Sequence, residues 1–242
     1  MNSDYVLQQA DALVKRVSKL VVDEPAARAA LRRGVGLAPD DPRMLAAHRV
    51  VAPYVPVPRE HDGDRRGPVS AWEAPAVERA FYAVAAIMAA QSRSARDQGT
   101  ETAEEEQRDG EASAEPPPTE EGSGDAAAEK PQKRPNLGVS LAEAVFKRGL
   151  NADTTEQRLH LLARQNLDGV HRHLPRLVLH LRGDDVHVDW GVLARDLARW
   201  GHTPRQVAKE WVQSYHRTLE TERRKAARTK NHNTTIEETE AA

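Results

Sequence analysis

Residues 188–201 read VDWGVLARDLARWG and predict an amphipathic helix. Asp189 is a residue type that favours the N-cap position, and Gly201 is typical of the residue that ends a helix. The apolar residues between them recur at steps of three and four, which is the period of a helix: Trp190, Leu193, Leu197 and Trp200. Because large apolar side chains on a helix are usually buried, we expect both tryptophans to lie in the core.

The same periodicity extends in both directions from this segment. Upstream, Ser140 and Glu143 have the spacing of a capping box, which places a helix start at Ser140. Pro175 is expected to open a further helix, with Gly183 at its end. The short stretch 186–188 is the only β-like one in this half, and aromatic residues make up just 4% of the chain. These patterns predict an all-α protein.

An acidic segment separates two helical regions. Residues 97–129 contain 12 acidic residues and one basic residue, a net charge of −11, while the rest of the chain has 34 basic and 25 acidic residues, a net charge of +9. The segment has no Val, Ile, Leu, Met, Phe, Trp or Tyr, so it cannot bury apolar surface and is expected to stay disordered. A solvated spacer is the first interpretation, and an acidic mask for a basic surface is the alternative.

This charge pattern divides the chain into four predicted parts. We expect two small helical bundles, at 1–95 and 136–220, joined by a long disordered acidic linker at 96–135 and followed by a disordered tail at 221–242. No run of about 18 apolar residues is present, so no membrane-spanning helix is expected. The first residues lack the pattern of a signal peptide. We therefore expect a cytoplasmic protein without a membrane partner.

The basic residues are the positive functional signal. The chain has 27 Arg and 8 Lys, and the planar guanidinium group suits phosphate oxygens better than an ammonium group does. This bias indicates nucleic-acid binding through backbone phosphates, with a merely solvated basic surface as the alternative. The candidate binding residues are Arg32, Arg33, Lys147, Arg148, Arg158, Arg164 and Arg176. Lys147 and Arg148 also stand where they would complement a helix C-terminus.

Catalytic and metal-binding patterns are weak by comparison. The chain has no cysteine, which excludes disulfides, thiolate metal sites and a cysteine nucleophile. Four histidines cluster loosely in the second half: His171, His173, His180 and His187. They lack a carboxylate at ligand spacing, and His171 and His173 would point to different faces of a helix. We therefore expect no catalytic residues, no metal and no cofactor, and a hydrolase using these histidines is the rival hypothesis.

The order of several short motifs resembles a known family. These motifs are LRRG at 31–34, VERAF at 77–81, NLGVSL at 136–141, EQRL at 156–159, LPRLV at 174–178, VDW at 188–190 and LARWG at 197–201. Together they resemble the small subunit of the type I-E CRISPR Cascade effector complex, the CasB family, over residues 5–91 and 136–220. No single motif is specific, whereas the ordered set with its paired tryptophan motifs is.

The resemblance implies an all-helical, non-catalytic protein of two bundles. Its implied partners are guide RNA, the target and displaced strands of DNA in the R-loop, other Cascade subunits and a second copy of itself. It also implies roles for five arginines on the family's basic positions: Arg32, Arg33, Arg158, Arg164 and Arg176. The acidic linker is longer than the polar loop expected for the family. A generic helical scaffold without nucleic-acid contact is the alternative.

Overall fold

The computed structural model describes residues 1–58, 68–92, 134–183 and 185–240, with side chains described up to residue 229. The bounds of its α-helices are α1 Ser3–Asp23, α2 Pro25–Arg32, α3 Leu45–Val51, α4 Ala74–Ala90, α5 Leu137–Arg148, α6 Ala152–Ala163, α7 Leu167–Gly183, α8 Trp190–Trp200 and α9 Pro204–Glu240. Two single-turn 3₁₀ helices, Pro42–Met44 and Ala52–Tyr54, flank α3. No strand occurs in these ranges, so the all-α class is confirmed. Of the predicted linker, residues 96–133 lie outside the described residues, whereas Arg134 near its end forms ion pairs with Asp11 and Asp189.

Asparagine side chains cap α5, α6 and α7, and two of these helices begin before the residue that the sequence predicted. Asn136 caps α5 by accepting a hydrogen bond from the backbone N–H of Val139. The expected cap, Ser140, instead lies buried inside that helix. Asn151 caps α6, and Asn166 accepts from the backbone N–H of Gly169 at the start of α7. An asparagine oxygen satisfies the free N–H groups of the first turn as well as serine does.

Pro175 was expected to open a helix and instead lies within α7. The helix begins eight residues earlier, because its first turn is already capped by Asn166 and its buried face includes Val170, His171 and Leu174. A proline inside a helix removes one backbone hydrogen bond and crowds the carbonyl group four residues earlier, at a cost of about 3 kcal/mol. Burial of that apolar face offsets the loss.

The two halves of the chain share one core. Helices α1 and α4 from the first half pack on α8 from the second half, and α4 also contacts α7. Helix α9 packs along α5 and against α6 and α8. Trp200 and Trp211 lie fully buried in this core with ring centroids 5.0 Å apart, and Trp190 packs partly buried against it. The core position expected for Trp200 is confirmed.

The division into two bundles with the stated boundaries stays a prediction. The last helix, α9, continues to Glu240, past residue 220 where the apolar pattern fades. Ion pairs one turn apart support this polar part of the helix, between Arg224 and Glu220 and between Lys225 and Glu222. No described helix combines the length and the apolar character needed to cross a bilayer.

Candidate nucleic-acid interface

A groove between α6 and α7 brings two of the predicted arginines together. It has a volume of about 280 Å³ and is lined by Arg158, Leu161, Leu162, His173, Arg176, Leu177 and His180. Both arginines are exposed, and the leucines form an apolar floor between them. Leu161 is 55% exposed, so this floor is open to solvent.

The amphipathic pattern of α6 and α7 turns these arginines outward. Helix α6 buries Thr155, Leu159 and Leu162, and Arg158 lies at the edge of that face, where its side chain is exposed. Arg176 lies between two buried residues of α7, Pro175 and Leu177, and itself points to solvent.

Arg164 follows the last turn of α6 at the C-cap position, where its side chain is exposed. A cation there also complements the partial negative charge at the end of the helix. All three arginines therefore lie on one pair of packed helices, α6 and α7.

Arg32 and Arg33 occupy a separate place at the end of α2. That helix buries Ala27, Ala30 and Leu31 against α1, α3 and α4. Both arginine side chains are exposed. The structure therefore presents five of the predicted arginines as two groups, one at the end of α2 and one on α6 and α7.

Ion pairing separates the seven predicted binding residues into two classes. Lys147 Nζ lies 3.1 Å from Glu143 Oε1, and Arg148 donates to the side chain and the backbone oxygen of Asp185. Within the described ranges, no ion pair is formed by the remaining five: Arg32, Arg33, Arg158, Arg164 and Arg176. These five guanidinium groups can donate hydrogen bonds to a phosphate without giving up a carboxylate partner.

The four histidines noted in the sequence do not form a ligand set. His171 is 3% exposed, and burial lowers its pKa to about 3, with the positive charge of Arg79 acting in the same direction. His173 and His180 line the groove. His187 lies beside Lys147 and Arg148 in a different pocket. The expectation that His171 and His173 face different ways is confirmed.

Contacts between distant residues add features that the sequence pattern did not reveal. Arg134 donates to both carboxylate oxygens of Asp11 and of Asp189, at distances between 2.7 and 2.9 Å. The hydrogen bond to Asp11 is the largest influence on Arg134 and raises its pKa. Arg134 thereby ties α1 to the start of α8. A second ion pair joins Arg79 of α4 to Asp168 of α7.

The sequence profile of the family described as CRISPR-associated protein Cse2 matches residues 27–216. The chain belongs to the Cse2 family. The resemblance to CasB small subunits predicted from the order of the motifs is thereby confirmed. No curated protein matches the chain.

Solved structures add two close relatives. A chain of a "CRISPR RNA-guided surveillance complex" is 66% identical, with 91% of this chain and 99% of that chain covered and a TM-score of 0.69. A chain of the same complex described as pre-nicking is also 66% identical, with 92% and 99% covered and a TM-score of 0.71.

More distant relatives share the fold. CasB from M. ruber is 21% identical, with 89% and 96% of the two chains covered and a TM-score of 0.57. CasB from Thermobifida fusca is 18% identical, with 88% and 98% covered and a TM-score of 0.53. The Cse2 fold thus persists at low sequence identity.

Proposed function

We propose that this Cse2-family chain is the small, non-catalytic subunit of an RNA-guided CRISPR Cascade surveillance complex that acts in antiviral defence. The observation that supports this proposal most is the similarity to a chain of a CRISPR RNA-guided surveillance complex. The two chains are 66% identical, and the match covers 91% of this chain. The similarity spans nearly the whole of both chains. Its proposed partners are the other subunits of the complex, a second copy of itself, the guide RNA, and the target and displaced DNA strands. Its location is the cytoplasm.

The proposed contribution of the chain is to stabilise the R-loop by contacts to nucleic-acid backbones. In RNA-guided recognition the heteroduplex that forms is about as stable as the DNA duplex that it replaces, so protein contacts to the backbones tip the exchange. Exposed arginines without carboxylate partners, such as Arg158 and Arg176 at the α6–α7 groove, suit that task. Sequence recognition is left to base pairing.

The buried titratable groups support a structural rather than a catalytic role. Asp196 lies 1% exposed and accepts hydrogen bonds from Trp211 and Arg195. His171 is enclosed among Arg79, Asp168 and the core. Asp196 joins α8 to α9 through Trp211, and neither Asp196 nor His171 lines the groove.

The test is reconstitution of the complex with and without this chain. Co-expression with a tagged backbone subunit and a guide RNA is expected to co-purify the chain, and ultraviolet cross-linking is expected to join it to RNA or DNA. Assembly without any cross-link would favour the generic scaffold, and failure to co-purify would contradict membership of the complex. Cleavage of RNA or DNA by the purified chain with divalent ions would contradict the non-catalytic assignment.

A further inference from the structure

Three potential metal ligands come together where α6 meets α9. Glu156 and His160 lie one helical turn apart on α6, and His216 comes from α9. Glu156 Oε1 is 3.9 Å from the Nε2 atom of each histidine. A ligand atom from each of the three side chains lies within 4.8 Å of the other two.

The geometry follows from the way the two helices pack. Residues four apart on a helix stand on one face, so Glu156 and His160 point the same way. Tyr215 is buried beside this face, and its hydroxyl lies 3.3 Å from the carbonyl oxygen of Ala152 at the start of α6. The Tyr215 ring contacts the His216 imidazole edge to face, with centroids 5.2 Å apart. These contacts hold His216 opposite the two ligands on α6.

The electrostatics of the cluster favour a cation. Within the described ranges, the Glu156 carboxylate has no lysine or arginine partner and faces the two imidazoles. The three side chains are between 39% and 49% exposed, so an ion can reach them from solvent and they can still adjust. An imidazole must be neutral to bind a metal, and a carboxylate then supplies the only negative charge of the set.

We propose that Glu156, His160 and His216 bind a zinc ion, with water in the remaining position. Two imidazoles and one carboxylate form a donor set that suits Zn²⁺, whereas Mg²⁺ and Ca²⁺ prefer oxygen ligands alone. Zinc–ligand bonds of about 2.1 Å place tetrahedral ligand atoms roughly 3.4 Å apart. Each carboxylate–imidazole separation of 3.9 Å therefore has to close by about half an ångström, and the separation between the two imidazoles has to close by at most about 1.4 Å.

A metal ion at this point would link α6 to α9. Helix α6 carries Arg158 and is followed by Arg164, so the ion would fix the helix that holds part of the proposed phosphate-binding surface. This inference goes beyond the proposed function, because zinc binding is measured on the isolated chain without any nucleic acid.

The test uses the full chain without a polyhistidine tag, stripped with a chelator and dialysed. Titration with Zn²⁺ is expected to give one ion per chain and to raise the melting temperature, because the ion binds the folded state. Co²⁺ is expected to give the visible absorption of a low-coordinate site. Glu156→Gln, His160→Gln and His216→Gln should each weaken Zn²⁺ binding by more than about tenfold, the cost of losing even an outer-shell partner.

His173→Gln is the matched control, because it removes an exposed histidine from α7 and leaves the cluster intact. It should bind Zn²⁺ as the unsubstituted chain does. Circular dichroism checks that each variant is folded. If a histidine variant does not fold, Glu156→Gln still tests the site, because glutamine has nearly the same shape as glutamate. Absence of bound zinc in the unsubstituted chain, or equal affinity in Glu156→Gln, would overturn the proposal.

Discussion

At the scale of single residues, Asp196 is a buried carboxylate with several polar partners in the core. Its carboxylate accepts hydrogen bonds from Trp211 Nε1 at 2.8 Å and from Arg195 Nη2 at 2.9 Å, and Arg199 lies 3.7 Å away. Burial is the largest influence on Asp196 and raises its pKa, while the indole and the arginines oppose that effect. The contact joins α8 to α9.

We predict that Asp196→Ala lowers the free energy of unfolding by about 3–5 kcal/mol, because it leaves buried partners unpaired. Trp211→Phe loses one hydrogen bond and a small part of the ring. A double-mutant cycle with Asp196→Ala, measured by urea unfolding, should give a coupling energy of about 0.5–3 kcal/mol. Strict additivity of the two changes would contradict the contact.

His171 predicts a specific dependence of stability on pH. Its pKa is lowered from 6.5 to about 3 chiefly by burial, so the folded state holds it neutral. Below pH 6.5 the unfolded chain binds a proton that the folded chain does not, and stability falls as the pH decreases. Between pH 7 and pH 5 this one group should remove about 2 kcal/mol of unfolding free energy.

The measurement compares urea unfolding at both pH values for the unsubstituted chain and for His171→Leu. On acidification from pH 7 to pH 5, the unfolding free energy of the variant should fall by about 2 kcal/mol less than that of the unsubstituted chain. The substitution breaks no hydrogen bond of the His171 Nε2 atom, because that atom has no partner among the described residues. His173→Leu, at an exposed position of the same helix, is the control and should behave like the unsubstituted chain. Equal losses in all three proteins would show that His171 is not the responsible group.

At the scale of elements, the close packing of α5 on α9 depends on Gly138. A Cβ atom at this position would lie 2.0 Å from the backbone carbonyl oxygen of Trp211. Gly138→Ala is therefore expected to push the helices apart and to cost about 1–3 kcal/mol. Urea unfolding measures the loss.

Gly183→Ala at the end of α7 is the matched control, since its Cβ would meet nothing within 4 Å. It should be neutral or stabilising by up to about 1 kcal/mol, as alanine favours helix over glycine. A similar effect of both substitutions would mean that helix propensity, rather than the α5–α9 contact, decides the outcome at Gly138.

The sequence predicted the existence of individual helices better than their starts. As predicted, Asp189 caps α8 through the backbone N–H of Val192, and Gly201 is the C-cap residue of that helix. Both are local devices that a few neighbouring residues determine. Ser140 and Pro175 were misplaced because burial of a whole helix face outweighs one local signal at its apparent start.

At the scale of the whole molecule, the candidate site was only partly predictable. Composition and motif order identified the arginines, but they could not indicate that Lys147 and Arg148 have carboxylate partners. The tie of Arg134 to Asp11 spans 123 residues, and no local pattern encodes such a contact. The sequence pattern did not single out Glu156 and His160, and His216 joins them only through the packing of α9 on α6.

The unpaired arginines lead to a prediction for the assembled complex. The variant in which Arg32, Arg33, Arg158, Arg164 and Arg176 are all alanine should assemble with guide RNA but bind target DNA less tightly. The slope of log affinity against log salt is negative, and each lost phosphate contact should make it less steep by roughly 0.7 to 0.9. The loss should weaken binding to all target sequences alike.

The control variant replaces Arg43 and Arg224 with alanine. Both are exposed arginines, and they already pair with Asp41 and Glu220 respectively. Because these guanidinium groups are neutralised by carboxylates, their removal should leave the salt slope unchanged. The measurement is target-DNA affinity of the three complexes over a salt series. If the quintuple variant keeps the affinity and the slope of the unsubstituted complex, the five arginines are a solvated surface, and the chain stabilises the R-loop through other residues or not at all.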